Sequence, residues 1–270
     1  MSPAISAIRA ALIGRRLWEA RGANLAAEPV AIIGMACRFP GGVDSPEAFW
    51  DLLVSGRDAI TEVPRDRWDA DALYDPDPAK PGRVSSRWGG FLDNVRGFDA
   101  EFFGITPGEA AAMDPQQRIA LEVACEALED AGVPFEALRG SATGVYFSVY
   151  HNDYAFLQYS DQAAVGARTL TGTLHSVLPN RISHVLGLHG PSVMVDSACS
   201  SSLVGVHLAC QALRARDCDM AVVGGVNANL SPEVTIALSK AASCRRAGGA
   251  APSTPAPTDS CAARGAAPWC

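Results

Sequence analysis

Four short apolar runs, each bounded by turn residues, constrain the fold of this chain more than any other feature of its sequence. They lie at residues 30–37, 143–149, 192–196 and 220–223. An uninterrupted apolar run of strand length predicts a strand that is buried on both faces. Helical patterns separate the later runs, at 115–130, 181–188 and 203–216. Strands that alternate with helices predict an α/β protein with largely buried sheets.

Local signals fix the ends of two helices. Ser45 is predicted as an N-cap and Pro46 as the first helical residue of a helix whose apolar face is formed by Phe49, Leu52 and Leu53. The helix over 115–130 is expected to turn Ile119, Val123 and Leu128 inward and to end at the Gly132 turn. Between these helices, residues 58–104 are rich in Asp, Pro, Gly and Trp, which predicts a long ordered loop with short strands.

The charge distribution excludes several classes of partner. Residues 29–240 carry 15 basic and 26 acidic side chains, whereas 1–28 and 241–270 each have a net charge of +2. So acidic a central region disfavours a broad surface for nucleic acid or an anionic membrane. No apolar run approaches the roughly 18–20 residues of a membrane span, and the N-terminus lacks a signal-peptide core. We therefore expect a cytoplasmic protein that has neither nucleic acid nor membrane as a partner.

The cysteines do not form a metal or disulfide pattern. Five of the eight are scattered through apolar contexts without CxxC spacing: Cys37, Cys125, Cys199, Cys210 and Cys218. This distribution favours reduced thiols over a disulfide framework or a zinc site. The sequence also contains no GxGxxG, P-loop or HExxH motif, so no nucleotide cofactor and no metal is expected.

The segment 195–203 carries the clearest candidate for chemistry. A predicted strand ends at Asp196, and a helix is predicted to begin at or just after Cys199. Free N–H groups and the positive end of a helix dipole would favour the thiolate, which is the nucleophilic form, and could polarise an acyl carbonyl. A cysteine between Ala198 and Ser200 can equally be a small core residue. The residues alone leave both interpretations open.

The sequence resembles the β-ketoacyl synthase domain of modular type I polyketide synthases. The resemblance begins with Val30-Ala31-Ile32-Ile33-Gly34-Met35-Ala36-Cys37-Arg38-Phe39-Pro40-Gly41. It continues in family order through Phe98–Ile105, Met113–Arg118, 126–132, Asn180–Ser183 and Gly190–Ser192, the cysteine signature at 195–203, and Gly224-Gly225-Val226-Asn227. It covers residues 29–240 and implies a thiolase-like layered αβαβα fold, with only the N-terminal half present in frame. Residues 1–28 are predicted as a short amphipathic helix and linker.

By this resemblance, Cys199 is the catalytic residue of an acyltransferase that elongates polyketide chains. It would take an acyl group from the phosphopantetheine of an acyl carrier protein, and a decarboxylating extender would then condense with it to a β-ketoacyl thioester. The family works as a homodimer and uses two histidines of its second half. None of His151, His175, His184, His189 or His207 aligns with them, so this chain alone is expected to be inactive.

Several other residues have structural interpretations. His207 is expected to be a packed or half-exposed residue of its helix, and His175 to be a surface residue in a turn. Met113–Arg118 is interpreted as a helix start rather than as catalytic. Ser197 stands where the family more often has Thr and keeps the hydroxyl.

Two other functions compete with the condensing enzyme. One is a non-catalytic fragment that only dimerises or binds a carrier protein, and the retention of Cys199 counts against it. The other is a serine hydrolase, which the absence of a GxSxG motif makes remote.

Residues 241–270 differ in composition from the rest of the chain. They contain no Val, Ile, Leu, Met, Phe or Tyr, which by itself predicts a disordered tail. Shifting the reading frame by one nucleotide from Cys244 permits Leu-Ser-Pro-Gly-Gly-Arg-Cys-Arg-Thr-Phe-Asp-Ala and then, after Arg or Gly, Ala-Asp-Gly-Phe-Val-Arg-Gly-Glu-Gly-Cys-Gly-Ala-Met-Val. That is the continuation the family resemblance implies. We therefore predict a change of reading frame near 241–243, with a genuine low-complexity linker as the alternative.

Overall fold

A computed structural model describes residues 28–247 of the chain. Its centre is a parallel sheet of three strands, β3 (Thr143–Val149), β4 (Ser192–Met194) and β5 (Met220–Val226). The order is β4-β3-β5, with β3 in the middle. A separate antiparallel pair is formed by β1 (Thr61–Glu62) and β2 (Trp88–Gly89).

Helices cover both faces of the parallel sheet. The long helices are α1 (Pro46–Ser55), α4 (Pro115–Asp130), α8 (Val177–Leu186), α9 (Ser201–Ala215) and α10 (Glu233–Ala247). Short helices are α2 (Ala70–Leu73), α3 (Pro107–Ala112), α5 (Phe135–Leu138), α6 (Asp153–Tyr159) and α7 (Ala167–Thr173). The α/β alternation predicted from the apolar runs is confirmed.

The two faces of β3 belong to different parts of the core. Val145 and Phe147 pack with α4 and α8 in the largest apolar cluster, which includes Leu121 and Ile182. Tyr146 points the other way and packs with Ala209 and Ala212 of α9, together with Cys218. All seven residues of β3 are buried, as expected for a strand covered on both faces.

The helix α4 has the predicted bounds, and its start is fixed by Asp114. The Asp114 carboxylate accepts a hydrogen bond from the backbone N–H of Gln116 at 2.8 Å, and Pro115 occupies the first turn. Met113–Arg118 is therefore a helix start, as predicted. Helix α1 is likewise capped by Ser45, whose hydroxyl accepts from the N–H of Ala48.

Several predicted bounds differ from the structure by one to four residues. Helix α8 begins at Val177 rather than 181, because Pro179 lies in its first turn, where proline is tolerated. Strand β4 ends at Met194 rather than 196, α9 begins at Ser201 rather than 203, and β5 continues to Val226 rather than 223. The chain through 58–104 is a long ordered segment with short strands, as predicted.

The predicted buried strand at 30–37 is wrong for the described part of the chain. The segment makes no strand ladder with residues 28–247, and Ile32, Ile33 and Met35 are exposed. It does pack on α4, where a Cβ on Gly34 would lie 2.2 Å from the carbonyl oxygen of Ala127. The backbone N–H of Met35 also donates to the Asp130 carboxylate at 2.8 Å. The apolar run therefore lies beside the fold without a strand to cover it.

The apolar face predicted for α1 is only partly covered, since Leu52 is half-buried and Phe49 packs on Phe39. Phe49 and Leu53 are exposed, and no residue of this helix is fully buried. Helix α10 continues through Ala247, so residues 241–247 of the predicted tail are helical; 248–270 and 1–27 lie outside the described residues. Within the described part, no helix has the length and apolar character that crossing a membrane requires.

Candidate active site

The strands of the parallel sheet end together at one edge. Val149, the last residue of β3, is paired with Val226, the last residue of β5. Met194, the last residue of β4, is paired with Phe147, and the backbone N–H of Val195 donates to the Phe147 carbonyl at 2.8 Å. The segments that follow all three strands therefore leave from the same side, where open α/β sheets bind their ligands.

Cys199 lies on the turn that follows β4. Residues Ala198–Ser200 form a single 3-10 turn, and α9 begins at Ser201. The strand, cysteine and helix start therefore follow one another as predicted. Cys199 is exposed, whereas Cys125 and Cys218 are buried and Cys37 and Cys210 are half-buried.

Side chains of the turn hold its backbone. The Asp196 carboxylate accepts from the N–H of Ala198 at 3.1 Å, and the Ser201 hydroxyl accepts from the N–H of Ser197 at 2.7 Å. The Ser201 hydroxyl also donates to the carbonyl of Ala198 at 2.6 Å. Ala198 has a φ of 56°, a left-handed conformation that is costly for a residue with a Cβ. Cys199 is thus presented by a strained turn that these hydrogen bonds support.

Close packing seats the first turn of α9 on the sheet. A Cβ on Gly225 of β5 would lie 2.8 Å from the Ser148 hydroxyl and 3.1 Å from the Ser202 Cβ. A Cβ on Gly224 would lie 2.4 Å from the Phe147 ring. Gly225 therefore allows the helix that follows Cys199 to approach β5, whereas Gly224 leaves room for the Phe147 ring.

Two of the other thiols differ from Cys199 in that they are buried. Burial raises the pKa of Cys125 to about 12. Burial also raises the pKa of Cys218 above its ordinary value. A thiolate is the nucleophilic form of cysteine, so these two side chains are poor nucleophiles. No cluster of three or more metal-ligating side chains occurs in residues 28–247.

A network of buried polar groups joins the segments after β3 and β5, and the sequence did not indicate it as a network. Gln116, which is 1% exposed, donates to the His151 carbonyl at 2.8 Å and accepts from the N–H of Ala228 at 3.1 Å. Asp153, also 1% exposed, accepts from the N–H groups of Leu230 and Ser231 at 3.0 and 3.1 Å. The only sequence signal was the polar character of residues next to predicted buried runs.

The prediction that His175 is a surface residue is only partly right, because the residue is half-buried. Its Nε2 is buried and has no hydrogen-bond partner among the described residues, and the ring borders a small cavity lined also by Asp114, Gln117 and Thr173. Burial lowers the pKa of His175 below its ordinary value, while the negative charge of Asp196 acts in the opposite direction. The turn after α7 folds inward because Gly172 lies against α3, where a Cβ would be 1.9 Å from the Ala112 carbonyl oxygen.

The remaining histidines are more peripheral. His207 lies on α9, as predicted, but is exposed rather than packed or half-exposed; His184 and His189 are exposed too. His151 is half-buried, and burial lowers its pKa. Its ring lies against Tyr150, with ring centroids 3.6 Å apart. Of the five histidines, only His151 and His175 lie near the carboxyl edge of the sheet.

Comparison with known proteins shows to which family a chain with this fold and this cysteine turn belongs. The sequence model of the β-ketoacyl synthase N-terminal domain matches residues 27–267. The chain belongs to the β-ketoacyl synthase family. The ketosynthase resemblance seen in the sequence and its thiolase-like fold are thereby confirmed, and the described residues correspond to the N-terminal part of such a domain.

Relatives of this ketosynthase chain are components of large polyketide synthases. One component of the phenolphthiocerol/phthiocerol polyketide synthase of Mycobacterium tuberculosis is 60% identical over 213 residues, which are 79% of this chain and 14% of that protein. A mycocerosic acid synthase-like polyketide synthase of Mycolicibacterium smegmatis is 48% identical over 233 residues, 86% of this chain and 10% of that protein. The chain thus spans a small fraction of the length of these relatives.

Solved ketosynthase domains share its fold. The oxazolomycin ketosynthase domain of Streptomyces albus superposes with a TM-score of 0.74 at 40% identity, covering 79% of this chain and 37% of that domain. The ketosynthase from module 6 of the bacillaene synthase of Bacillus subtilis gives a TM-score of 0.68 at 40% identity, covering 78% and 34%.

Proposed function

We propose that Cys199 is the acyl-accepting nucleophile of a polyketide chain-elongating ketosynthase. The observation that carries this proposal is the exposed thiol at the start of α9, at the edge where all three parallel strands end. Backbone N–H groups at the start of a helix have no carbonyl partner in a preceding turn. They can therefore stabilise negative charge on a substrate oxygen beside the thiol.

The first step is a transfer of the acyl group between two thiols. The Cys199 thiolate attacks the carbonyl carbon of an acyl thioester carried on the phosphopantetheine of an acyl carrier protein. Backbone N–H groups beside Cys199 that have no partner within the protein stabilise the tetrahedral oxyanion. Those of Ser197, Ala198 and Ser201 already donate within the turn and do not take part. The bond between the acyl carbon and the Cys199 sulfur forms, the bond to the carrier sulfur breaks, and the carrier thiolate takes up a proton.

The second step forms the new carbon–carbon bond. A malonyl-type extender on a carrier protein loses carbon dioxide, and its carbanion attacks the acyl carbon bound to Cys199. The bond to the Cys199 sulfur then breaks, which frees the Cys199 thiolate and leaves a β-ketoacyl thioester on the carrier. In the family, two histidines of the second half support the decarboxylation, and none of the five histidines here matches them.

We therefore propose that this chain accepts an acyl group but does not condense it. Exposed apolar side chains support the absence of the second half, which carries the two histidines in the family and would cover part of this surface. Ile32 is 81% exposed and Trp50 is 65% exposed. Apolar surfaces of this kind usually meet another protein surface. Production of a β-ketoacyl carrier thioester by purified, monodisperse chain would contradict the proposal.

We infer from the same exposed apolar surfaces that this chain has two binding partners. The acyl carrier protein delivers the substrate, and a second copy of the chain forms the homodimer that is usual in the family. Leu203 and Val206 on α9 are 74% and 46% exposed, close in sequence to Cys199. Light scattering of the purified chain tests the homodimer, and a monomer at micromolar concentration would contradict it.

Site-resolved mass spectrometry tests the acylation. The full chain is incubated with an acyl N-acetylcysteamine thioester, digested, and searched for acylated cysteine peptides. We expect the acyl group on Cys199 and its loss in Cys199→Ala. Cys210→Ala is the matched control, because Cys210 is a half-buried thiol on the helix that follows the Cys199 turn. Labelling that persists in Cys199→Ala would refute the assignment.

A further inference from the structure

A single buried amide connects the chain segments that follow β3 and β5. Gln116 Nε2 donates to the His151 carbonyl, in the segment that follows β3. Gln116 Oε1 accepts from the N–H of Ala228, in the segment that follows β5. Because Val149 and Val226 are paired at the ends of these strands, the two segments leave the sheet side by side.

The first turn of α4 holds this amide in one orientation. Asp114 Oδ1 accepts from the Gln116 backbone N–H at 2.8 Å, and Asp114 Oδ2 accepts from Gln116 Nε2 at 3.2 Å. With the Gln116 side chain 1% exposed, water cannot replace these partners. A buried amide must find its donors and acceptors within the protein, so its orientation is strongly specified.

The segment after β5 is in turn connected to the start of α9, the helix that follows Cys199. Ala228, which donates to Gln116, lies three residues after Gly225 of β5. A Cβ on Gly225 would lie 3.1 Å from the Cβ of Ser202, so the end of β5 packs closely against the first turn of α9. Gln116 is therefore connected, through Ala228 and the end of β5, to the helix start beside Cys199.

We propose that Gln116 is a positioning residue for Cys199. It does not touch the reacting atoms, but it fixes the segments after β3 and β5 and so the surroundings in which the Cys199 turn is held. The proposal rests on the proposed role of Cys199 and extends it to a residue of the Met113–Arg118 segment that the sequence indicated only as a helix start.

Gln117 provides a matched control on the same helix. It is 3% exposed, donates to the carbonyls of Thr171 and Gly172 at 3.2 and 3.0 Å, and accepts from Arg181 at 3.0 Å. It is thus an equally buried amide, but it fixes the C-terminal end of α7 and helix α8 instead of the segments after β3 and β5. Gln116→Met and Gln117→Met each remove a buried amide from α4 and keep a side chain of similar length.

Two measurements on the full chain test the proposal without relying on condensation. One is hydrogen exchange of the Ala228 amide, and the other is the rate at which iodoacetamide alkylates Cys199 relative to Cys210. We expect Gln116→Met to accelerate the Ala228 exchange and to change the relative alkylation rate, each on the order of tenfold. We expect Gln117→Met to leave both near the wild-type values.

A pH series with Gln116→Glu distinguishes positioning from simple loss of packing. A protonated carboxyl can donate to the His151 carbonyl, whereas a carboxylate cannot and is repelled by Asp114. The ratio of the variant's relative alkylation rate to that of the wild type should therefore approach one as the pH falls. Asp114, Asp153, His151, His175 and Arg118 are the other titratable groups around this site, and they are common to both proteins.

Equal effects of Gln116→Met and Gln117→Met, or an unchanged Ala228 exchange in Gln116→Met, would overturn the proposal. So would a Gln116→Glu ratio that does not depend on pH. Failure of the wild-type chain to accept an acyl group from a thioester would contradict the proposed function instead. In that case the exchange and alkylation measurements would still decide the role of Gln116.

Discussion

The Asp196 carboxylate accepts a hydrogen bond from the backbone N–H of Ala198 at 3.1 Å, one residue before Cys199. Ala198 is in the left-handed region with a φ of 56°, which costs an alanine roughly 1–2 kcal/mol. Asp196 therefore stabilises the strained residue that precedes Cys199. This is a structural role rather than that of an orienter for a catalytic base.

Asp196→Ala should slow acylation of Cys199 on the order of tenfold, because the Ala198 N–H loses a hydrogen bond from a side chain. Asp196→Asn keeps an oxygen in the same place and should retain most of the wild-type rate. Stopped-flow release of the thiol from an acyl thioester measures both rates. Equal rates for the two variants would mean that the hydrogen bond does not support the turn.

Gly225→Ala should disturb the seating of α9. The added Cβ would lie 2.8 Å from the Ser148 hydroxyl and 3.1 Å from the Ser202 Cβ, so the first turn of α9 must shift. We expect a loss of roughly 1–3 kcal/mol of unfolding free energy and slower acylation of Cys199.

In Gly205→Ala, the matched control, the Cβ would lie 3.4 Å from Val223, an ordinary contact. That variant should be neutral or gain up to about 1 kcal/mol from helix propensity. Urea unfolding of both variants checks the prediction, which fails if Gly225→Ala is the more stable of the two.

The buried carboxyl of Asp114 should make stability depend on pH. Burial raises its pKa from 3.8 to about 6, so between these values the folded chain binds the proton more tightly than the unfolded chain. The contribution that this tighter proton binding makes to the free energy of unfolding is therefore fully present below pH 3.8. It is lost as the pH rises through about 6. Asp114→Asn keeps the N-cap oxygen but does not ionise.

The measurement is the difference in unfolding free energy between Asp114→Asn and the wild type, determined by urea titration across this pH range. The difference should shift in favour of the variant by about 2–3 kcal/mol as the pH rises. Subtracting the wild type cancels the other carboxyl groups, which the two proteins share. A difference that does not change with pH would mean that Asp114 is not destabilised by its burial.

The sequence predicted those parts of the fold that depend on short-range pattern. The apolar run at 143–149 became the fully buried β3, and Pro115 with Asp114 fixed the start of α4. The position of Cys199 between strand and helix was predictable for the same reason, since strand and helix signals lie next to it in sequence.

Other parts depend on contacts between distant segments. The inward position of His175 follows from the packing of Gly172 on α3. The connection of Gln116 to Ala228 joins residues that are 112 positions apart. No local pattern contains such information. The prediction of a buried strand at 30–37 was wrong for a related reason. An apolar run predicts that a segment is buried, but it does not indicate which other segment packs over it.

The last prediction concerns the coding frame of residues 241–270. Strand β5 lies at one edge of the described parallel sheet, and residues 30–37 pair with no strand within 28–247. The shifted frame provides apolar residues, among them Gly-Phe-Val and Ala-Met-Val, where the present frame has none of the large aliphatic residues. A chain read in that frame contains a segment that could cover these exposed groups.

We therefore expect resequencing of the locus to place a one-nucleotide change near 241–243. The frame-restored chain should show slower hydrogen exchange at residues 30–37 than the present chain, because a new strand or apolar segment covers them. An in-frame gene whose codons do not permit the shifted sequence would refute the frame change and favour a genuine low-complexity linker. A restored chain with unchanged exchange at 30–37 would show instead that another segment must cover the apolar run.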